Sequence, residues 1–205
     1  VEVRSIQLAM DGYYHVKDKI FETLERLGAR VITESINRVD YAMDHVLEGF
    51  VLKPDHVVCH SATGVSVVHD TDSFAMDYRV RGRKAQSVTI GKMPGRQVIV
   101  YDKRAEAMKS GKSSWFELWG YGRVDCPQVW RVELRAGKKH LKDWNISTFE
   151  DLEDGIGDVF KAAAAEVRLV ETVEVSNISR APSSELWLSV QNAVAENLHK
   201  HVSGL

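Results

Sequence analysis

Three short stretches set chemically useful side chains at strand spacing. In Arg38-Val39-Asp40-Tyr41-Ala42-Met43-Asp44, the two-residue period of a strand puts Arg38, Asp40, Ala42 and Asp44 on one face. Val39, Tyr41 and Met43 fall on the other. Trp130-Arg131-Val132-Glu133-Leu134-Arg135 repeats the pattern, with Arg131, Glu133 and Arg135 together. In Val98-Ile99-Val100-Tyr101-Asp102-Lys103, Tyr101 shares a face with Ile99 and stands at the strand's end, where a side chain can reach a cleft. If the strands are neighbours, Asp40, Asp44 and Glu133 converge on one hard divalent cation such as Mg²⁺ or Mn²⁺, which prefers carboxylate oxygens. A phenol with an ordinary pKa of about 10 attacks phosphorus only with help from a metal or a nearby cation. Lys103 and Arg104 are close in sequence. Each feature also has a plainer reading. The charges make a solvated face with surface pairs worth about 0–1 kcal/mol or a cross-strand ladder, and Tyr101 is an ordinary sheet aromatic.

The basic residues are unevenly spread. Arg79, Arg81, Arg83, Lys84, Lys92, Arg96, Lys103 and Arg104 fall between positions 79 and 104, whereas Glu150, Asp151, Glu153, Asp154 and Asp158 make a later segment acidic. A formal net charge of -2 over 205 residues therefore sums two unlike regions, and the basic one suits phosphate. Hydrophobic residues make up 44%, which excludes a disordered chain. Two cysteines, Cys59 and Cys126, make neither a disulfide framework nor a zinc site and suit a reducing compartment. His56 and His60 have the i, i+4 spacing of a zinc pair on a helix, but Pro54 and β-branched neighbours argue against a helix there. His69 stands apart from them. No His-hydrophobic-His triplet, phosphate-binding Gly loop or GxGxxG fingerprint occurs. No apolar run approaches the roughly 20 residues that span a bilayer, so no membrane partner is expected.

The surrounding pattern predicts the elements that would position these groups. Val3–Ala9 reads as a strand. Tyr13–Leu27 reads as a helix, with Val16, Ile20, Leu24 and Leu27 on one face and Gly28 as its stop. Strands are expected at Ile36–His45, Gly64–Asp70, Phe74–Arg81, Ser87–Gly91, Gln97–Asp102 and Gln128–Arg135, with a turn at Met93-Pro94-Gly95. Helices are expected from Lys103 to Lys109 and Thr148 to Glu166, then from a Ser183 or Ser184 cap to about His201. Val167–Val175 leans to strand. The fold class is α+β, with a central, mostly antiparallel sheet flanked by helices.

Taken in order, the motifs resemble those of a known family. Asn37-Arg38-Val39-Asp40-Tyr41-Ala42-Met43-Asp44 resembles its Thr-Arg-hydrophobic-Asp-x-Ala-x-Asp strand. Val88-Thr89-Ile90-Gly91-Lys92, then Val98 to Lys103 and Glu106, resembles a glycine turn followed by Arg-hydrophobic-Tyr-Asp-Lys and Glu. Trp130 to Arg135 is similar to its Arg-hydrophobic-Glu strand, and Asn177-Ile178-Ser179-Arg180, Pro182 and Leu186-Trp187 to a late Asn-x-Ser-Arg-x-Pro…Leu-Trp segment. The family is that of rolling-circle replication initiators of the trans-acting plasmid type, with related phage initiation factors and conjugative relaxases. Lys92-Met93-Pro94-Gly95 departs from its Gly-Ser-Arg-x-Ser turn, and Val98 stands near a position often held by Arg.

The resemblance implies a relaxase-like fold and a cytoplasmic DNA-nicking and strand-transfer enzyme. In such enzymes a tyrosine, here Tyr101, attacks a phosphodiester of single-stranded origin DNA and keeps the 5′ phosphate, helped by a divalent metal (Mg or Mn). Asp40, Glu133 and Asp44 would be its ligands, and Arg38, Arg96, Lys103, Arg131 and Arg135 would touch DNA. A host helicase and a second copy of the chain are the other implied partners. The alternative is a non-catalytic origin-binding protein of the same fold. Val1-Glu2-Val3-Arg4 has neither Met nor a signal-peptide pattern. Residues 1–205 are thus read as one nicking domain trimmed from a longer protein, with room for a DNA-binding domain beyond.

Overall fold

Alternation in the middle of the chain becomes a sheet with two unlike faces. A computed structural model describes residues 1–61, 64–67, 76–82 and 84–195. The main sheet holds β1 (Arg38–Val46), β4 (Met76–Arg81), β5 (Lys84–Gly91), β6 (Arg96–Asp102) and β7 (Val129–Gly137). Every pairing is antiparallel, in the order β1-β7-β6-β5-β4. β2 (Val57–Ser61), β3 (Gly64–Val67) and β8 (Val167–Leu169) form a second, smaller sheet in the order β3-β2-β8. The helices are α1 (Ser5–Asp11), α2 (Tyr13–Arg26), α3 (Lys103–Ser110), α4 (Ser114–Leu118), α5 (Lys138–Asp143), α6 (Phe149–Glu166) and α7 (Glu185–Ala195). The fold class is α+β, as the pattern predicts.

One face of the main sheet is dry. Met43, Val88, Ile90, Val98, Val100, Trp130, Val132, Leu134 and Ala136 are buried there. They share a core with Leu152, Ile156, Val159 and Phe160 of α6, with Trp187 and Val190 of α7, and with Val57 and Cys59 of β2. Thr148 starts α6 with a reciprocal cap, its hydroxyl accepting from the Asp151 amide while the Asp151 carboxylate accepts from the Thr148 amide. Gly155 lets α6 approach closely, since a Cβ there would stand 3.2 Å from the Ile146 side chain. A second cluster, Ala107, Trp115, Phe116, Cys126 and Val129, joins α3 and α4 to one end of the sheet, and Ile6 and Ala9 of α1 pack on it.

Two expectations change, and two readings gain detail. Val3–Ala9 is not a strand, for Ser5–Asp11 is helical. Ile6 and Ala9, three apart, turn one helical face to the second cluster, and the Gln7 amide donates to Asp11 four residues on. The Val167–Val175 strand stops at Leu169, and Val170 makes one isolated bridge to Ser183. His56 does not pair with His60 as a metal couple. It sits in a 3-10 turn with Nδ1 3.1 Å from the Val170 carbonyl. The last helix begins at Glu185 with Ser184 as its cap, the hydroxyl accepting from the Trp187 amide. Its predicted end at His201, His69, Arg83 and parts of the Gly64–Asp70 and Phe74–Arg81 strands lie outside the described residues.

Candidate active site

The opposite face of the main sheet collects charge, and the register fixes the arrangement. Along β1 and β7, Asp40 lies opposite Arg135, Ala42 opposite Glu133 and Asp44 opposite Arg131. Along β6 and β7, Ile99 lies opposite Glu133 and Tyr101 opposite Arg131. β7 is therefore central, with β1 and β6 on its flanks, and the three charged strands are neighbours.

Tyr101 is half-buried, and its hydroxyl donates to Glu133 Oε1 at 2.7 Å. Glu133 is only 7% exposed. Its other oxygen accepts from Arg135, with Nε at 3.0 Å. Arg135 also stands 3.5 Å from Asp40, which pairs with Arg38 at 3.0 Å. Burial pushes the Asp40 carboxyl above its usual range, Arg135 and Arg38 oppose that, and Glu133 adds to it. Burial likewise pushes the Tyr101 phenol up, the negative charge of Glu133 does the same, and Arg131 counteracts them only in part. The resting tyrosine is therefore neutral.

Asp44 belongs to a different cluster. Arg131 grips it bidentately, Nε and Nη2 at 2.5 and 2.6 Å, and Trp119 Nε1 donates to it at 2.9 Å. The guanidinium carbon of Arg131 lies 4.1 Å from the centre of the Trp115 ring, and Lys103 Nζ lies 4.8 Å from the same centre. Arg131 is 2% exposed and Lys103 4%. Burial, and then the positive charge of Arg131, push the Lys103 ammonium down in pKa, while its bond to Glu106 pulls it back up. Burial would raise Glu106, but hydrogen bonds from Lys103 and Lys112 outweigh it and bring that carboxyl down to about 2.

Asp40, Glu133 and Tyr101 are thus brought together, with Arg38 and Arg135 beside them. Four expected residues lie elsewhere in the structure. Asp44 has both oxygens occupied and is not free to join Asp40 and Glu133. Arg131 and Lys103 lie beneath the surface and hold other side chains. Arg96 pairs with Ala136, a core residue of the dry face, and its guanidinium binds Glu166 at the end of α6, away from Tyr101. The sequence reading missed Trp115 and Trp119, although their i, i+4 spacing on a short helix was visible.

The expected three-carboxylate ion site is not assembled. Among the described residues, no group of three or more His, Cys, Asp and Glu side chains is placed to hold a metal ion. The cation that lies between Asp40 and Glu133 is the Arg135 guanidinium. As arranged, these residues do not fit the divalent ion that the resemblance implies.

No protein-family model matches the chain, and no curated protein matches it either. Among solved structures, it is similar to the rolling circle replication initiator protein from Geobacillus stearothermophilus, at 16% identity and a TM-score of 0.43. The alignment covers 78% of this chain and 56% of that one, so the chain spans little more than half of its neighbour's length. Among the described residues, no helix is long and apolar enough to cross a membrane.

Proposed function

We propose that this chain cleaves and rejoins a phosphodiester of single-stranded DNA through Tyr101, as the motif resemblance implies for an initiator of rolling-circle replication or conjugative transfer. The observation that carries the proposal is the 2.7 Å hydrogen bond from the Tyr101 hydroxyl to Glu133. It pairs a nucleophile with a proton acceptor whose own position is fixed by Arg135. In the forward step the phenolic oxygen bonds to phosphorus and its proton passes to Glu133. The bond from phosphorus to the 3′ oxygen breaks, and the departing strand end takes a proton from water as a free 3′-hydroxyl. The 5′ phosphate stays on Tyr101. Rejoining reverses each transfer. Arg38, 49% exposed, and Arg135, 29%, are placed to meet the phosphate charge. Arg131 and Lys103 act one layer down, steadying the start of β7 and the start of α3.

A labelled single-stranded oligonucleotide tests this. Wild-type protein should carry the label through denaturing electrophoresis, and Tyr101→Phe should carry none. An adduct that persists in Tyr101→Phe would refute the nucleophile. A second reading, a DNA-binding protein of the same fold without catalysis, is favoured by the burial that keeps the phenol neutral. It predicts binding by wild type and no adduct under any divalent cation.

A further inference from the structure

The β4–β5 hairpin runs past the rest of its sheet. Ser87 pairs with Tyr101, and β6 turns into α3 directly after Asp102. The hairpin continues through Val80 opposite Ala85 and Arg81 opposite Lys84, with no further partner from β6. At about 3.3 Å per residue, its tip stands roughly 7–10 Å beyond the level of Tyr101. Val80, Arg81 and Lys84 are exposed on this overhang, and Tyr78 and Arg79 are exposed at its base, opposite Val88 and Ser87; Tyr78 and Val80 are 53% exposed each. Among the described residues, Arg79, Arg81 and Lys84 enter no ion pair. One acidic residue, Asp77, stands against them on these two strands.

Such a ribbon is unlike the charged centre of the sheet, where each guanidinium has a carboxylate. Among the described residues its cations have no carboxylate partner, and its apolar side chains are left in water. A two-stranded ribbon fits the major groove of B-form DNA, about 12 Å wide. Guanidinium groups match phosphate oxygens and guanine edges there. We infer that the β4–β5 hairpin grips double-stranded DNA next to the strand that Tyr101 attacks. The place of this grip beside the cleaved strand rests on the strand-cleavage reading above; the duplex grip does not.

The test is fluorescence anisotropy with a short labelled duplex and a single strand of the same sequence. Wild type is compared with the triple variant Arg79→Ala/Arg81→Ala/Lys84→Ala. The triple variant should lose on the order of tenfold or more in duplex affinity, and its log–log salt slope should shrink by up to about 2.7, about 0.9 per lost phosphate contact. Single-strand affinity and Tyr101 adduct formation should hold. Unchanged duplex affinity and slope would overturn the inference. So would an equal loss on the single strand, which would make the ribbon a track for the cleaved strand. If the triple variant melts early, Arg81→Gln alone should still reduce the duplex slope by about 0.9, and no reduction counts against the grip. Tyr101→Phe separates the two readings, since it should bind duplex like wild type. Duplex binding that depends on the hairpin without any adduct sinks the cleavage reading and leaves the grip. An adduct with hairpin-independent duplex binding does the reverse.

Discussion

The two faces of the main sheet come from the same strands and differ in almost everything else. The dry face buries Val98, Val100, Val132 and Leu134 under α6, and its stability comes from area removed from water. The charged face alternates with it residue by residue, and there each buried charge is matched. Arg131 holds Asp44, and Arg135 joins Glu133 to Asp40. The difference teaches where change is tolerated. On the dry face, volume is what matters. On the charged face, removing one partner strands the other, because an unpaired buried ion loses its hydration with nothing in return.

The largest effect that could break this comparison is catalytic. Glu133→Gln keeps the shape and removes the proton acceptor, so adduct formation should fall by about 100- to 10,000-fold in single-turnover assays. A fall below tenfold would make Glu133 a structural residue. On the dry face, Leu134→Ala should cost about 2–5 kcal/mol in urea unfolding, because it opens a cavity in a fully buried layer. On the charged face, Asp44→Ala should cost about 3 kcal/mol, and Asp44→Ala with Arg131→Met should recover part of the loss, since the stranded guanidinium is then gone. If Asp44→Ala is neutral, the pairing of that face is ornament. A finer effect concerns Arg135→Gln, which removes the cation between Asp40 and Glu133. That variant should gain more in melting temperature from Mn²⁺ than wild type does, and equal gains would show that Arg135 is not the cation that occupies this place.

The smallest effect sharpens the picture at the edge of the charged face. Glu106 has a folded-state carboxyl held near 2, below its ordinary value of 4.5. Its contribution is therefore complete above about pH 4.5 and is lost as pH falls toward 2. Solvent screens this group, 33% exposed, so the expected sign is a modest acid destabilisation over that window, flattened in Glu106→Gln. Identical acid melting curves for the two proteins would remove Glu106 from the account.

Much of this site was legible in the sequence because strands have period two. Arg38, Asp40 and Asp44, then Arg131, Glu133 and Arg135, share a face for that reason alone. The same rule already separates Tyr101 from Arg96, five positions apart, although the resemblance counts Arg96 among the DNA contacts. Strand order was not legible, since pairing is non-local and β7 inserts between β1 and β6 only in the folded sheet. The burial of Arg131 and Lys103 was hidden for a similar reason. Their cover, Trp115, comes from α4, which packs on a cluster partly supplied by α1. That same packing made a helix of Ser5–Asp11, where alternation had suggested a strand. In the small second sheet β8 begins at Val167, where a strand is expected, but β2, which joins it to β3, carries no such expectation.

Asp102 is the N-cap of α3, its carboxylate accepting from the Ala105 amide at 2.8 Å. Tyr101 is thus followed at once by a capped helix whose first residue, Lys103, is buried, with no loop between. A side chain mounted this way has no slack with which to search. If it is the nucleophile, the travel needed for reaction falls on the nucleic acid, and the enzyme's speed should depend on how easily the strand bends into place.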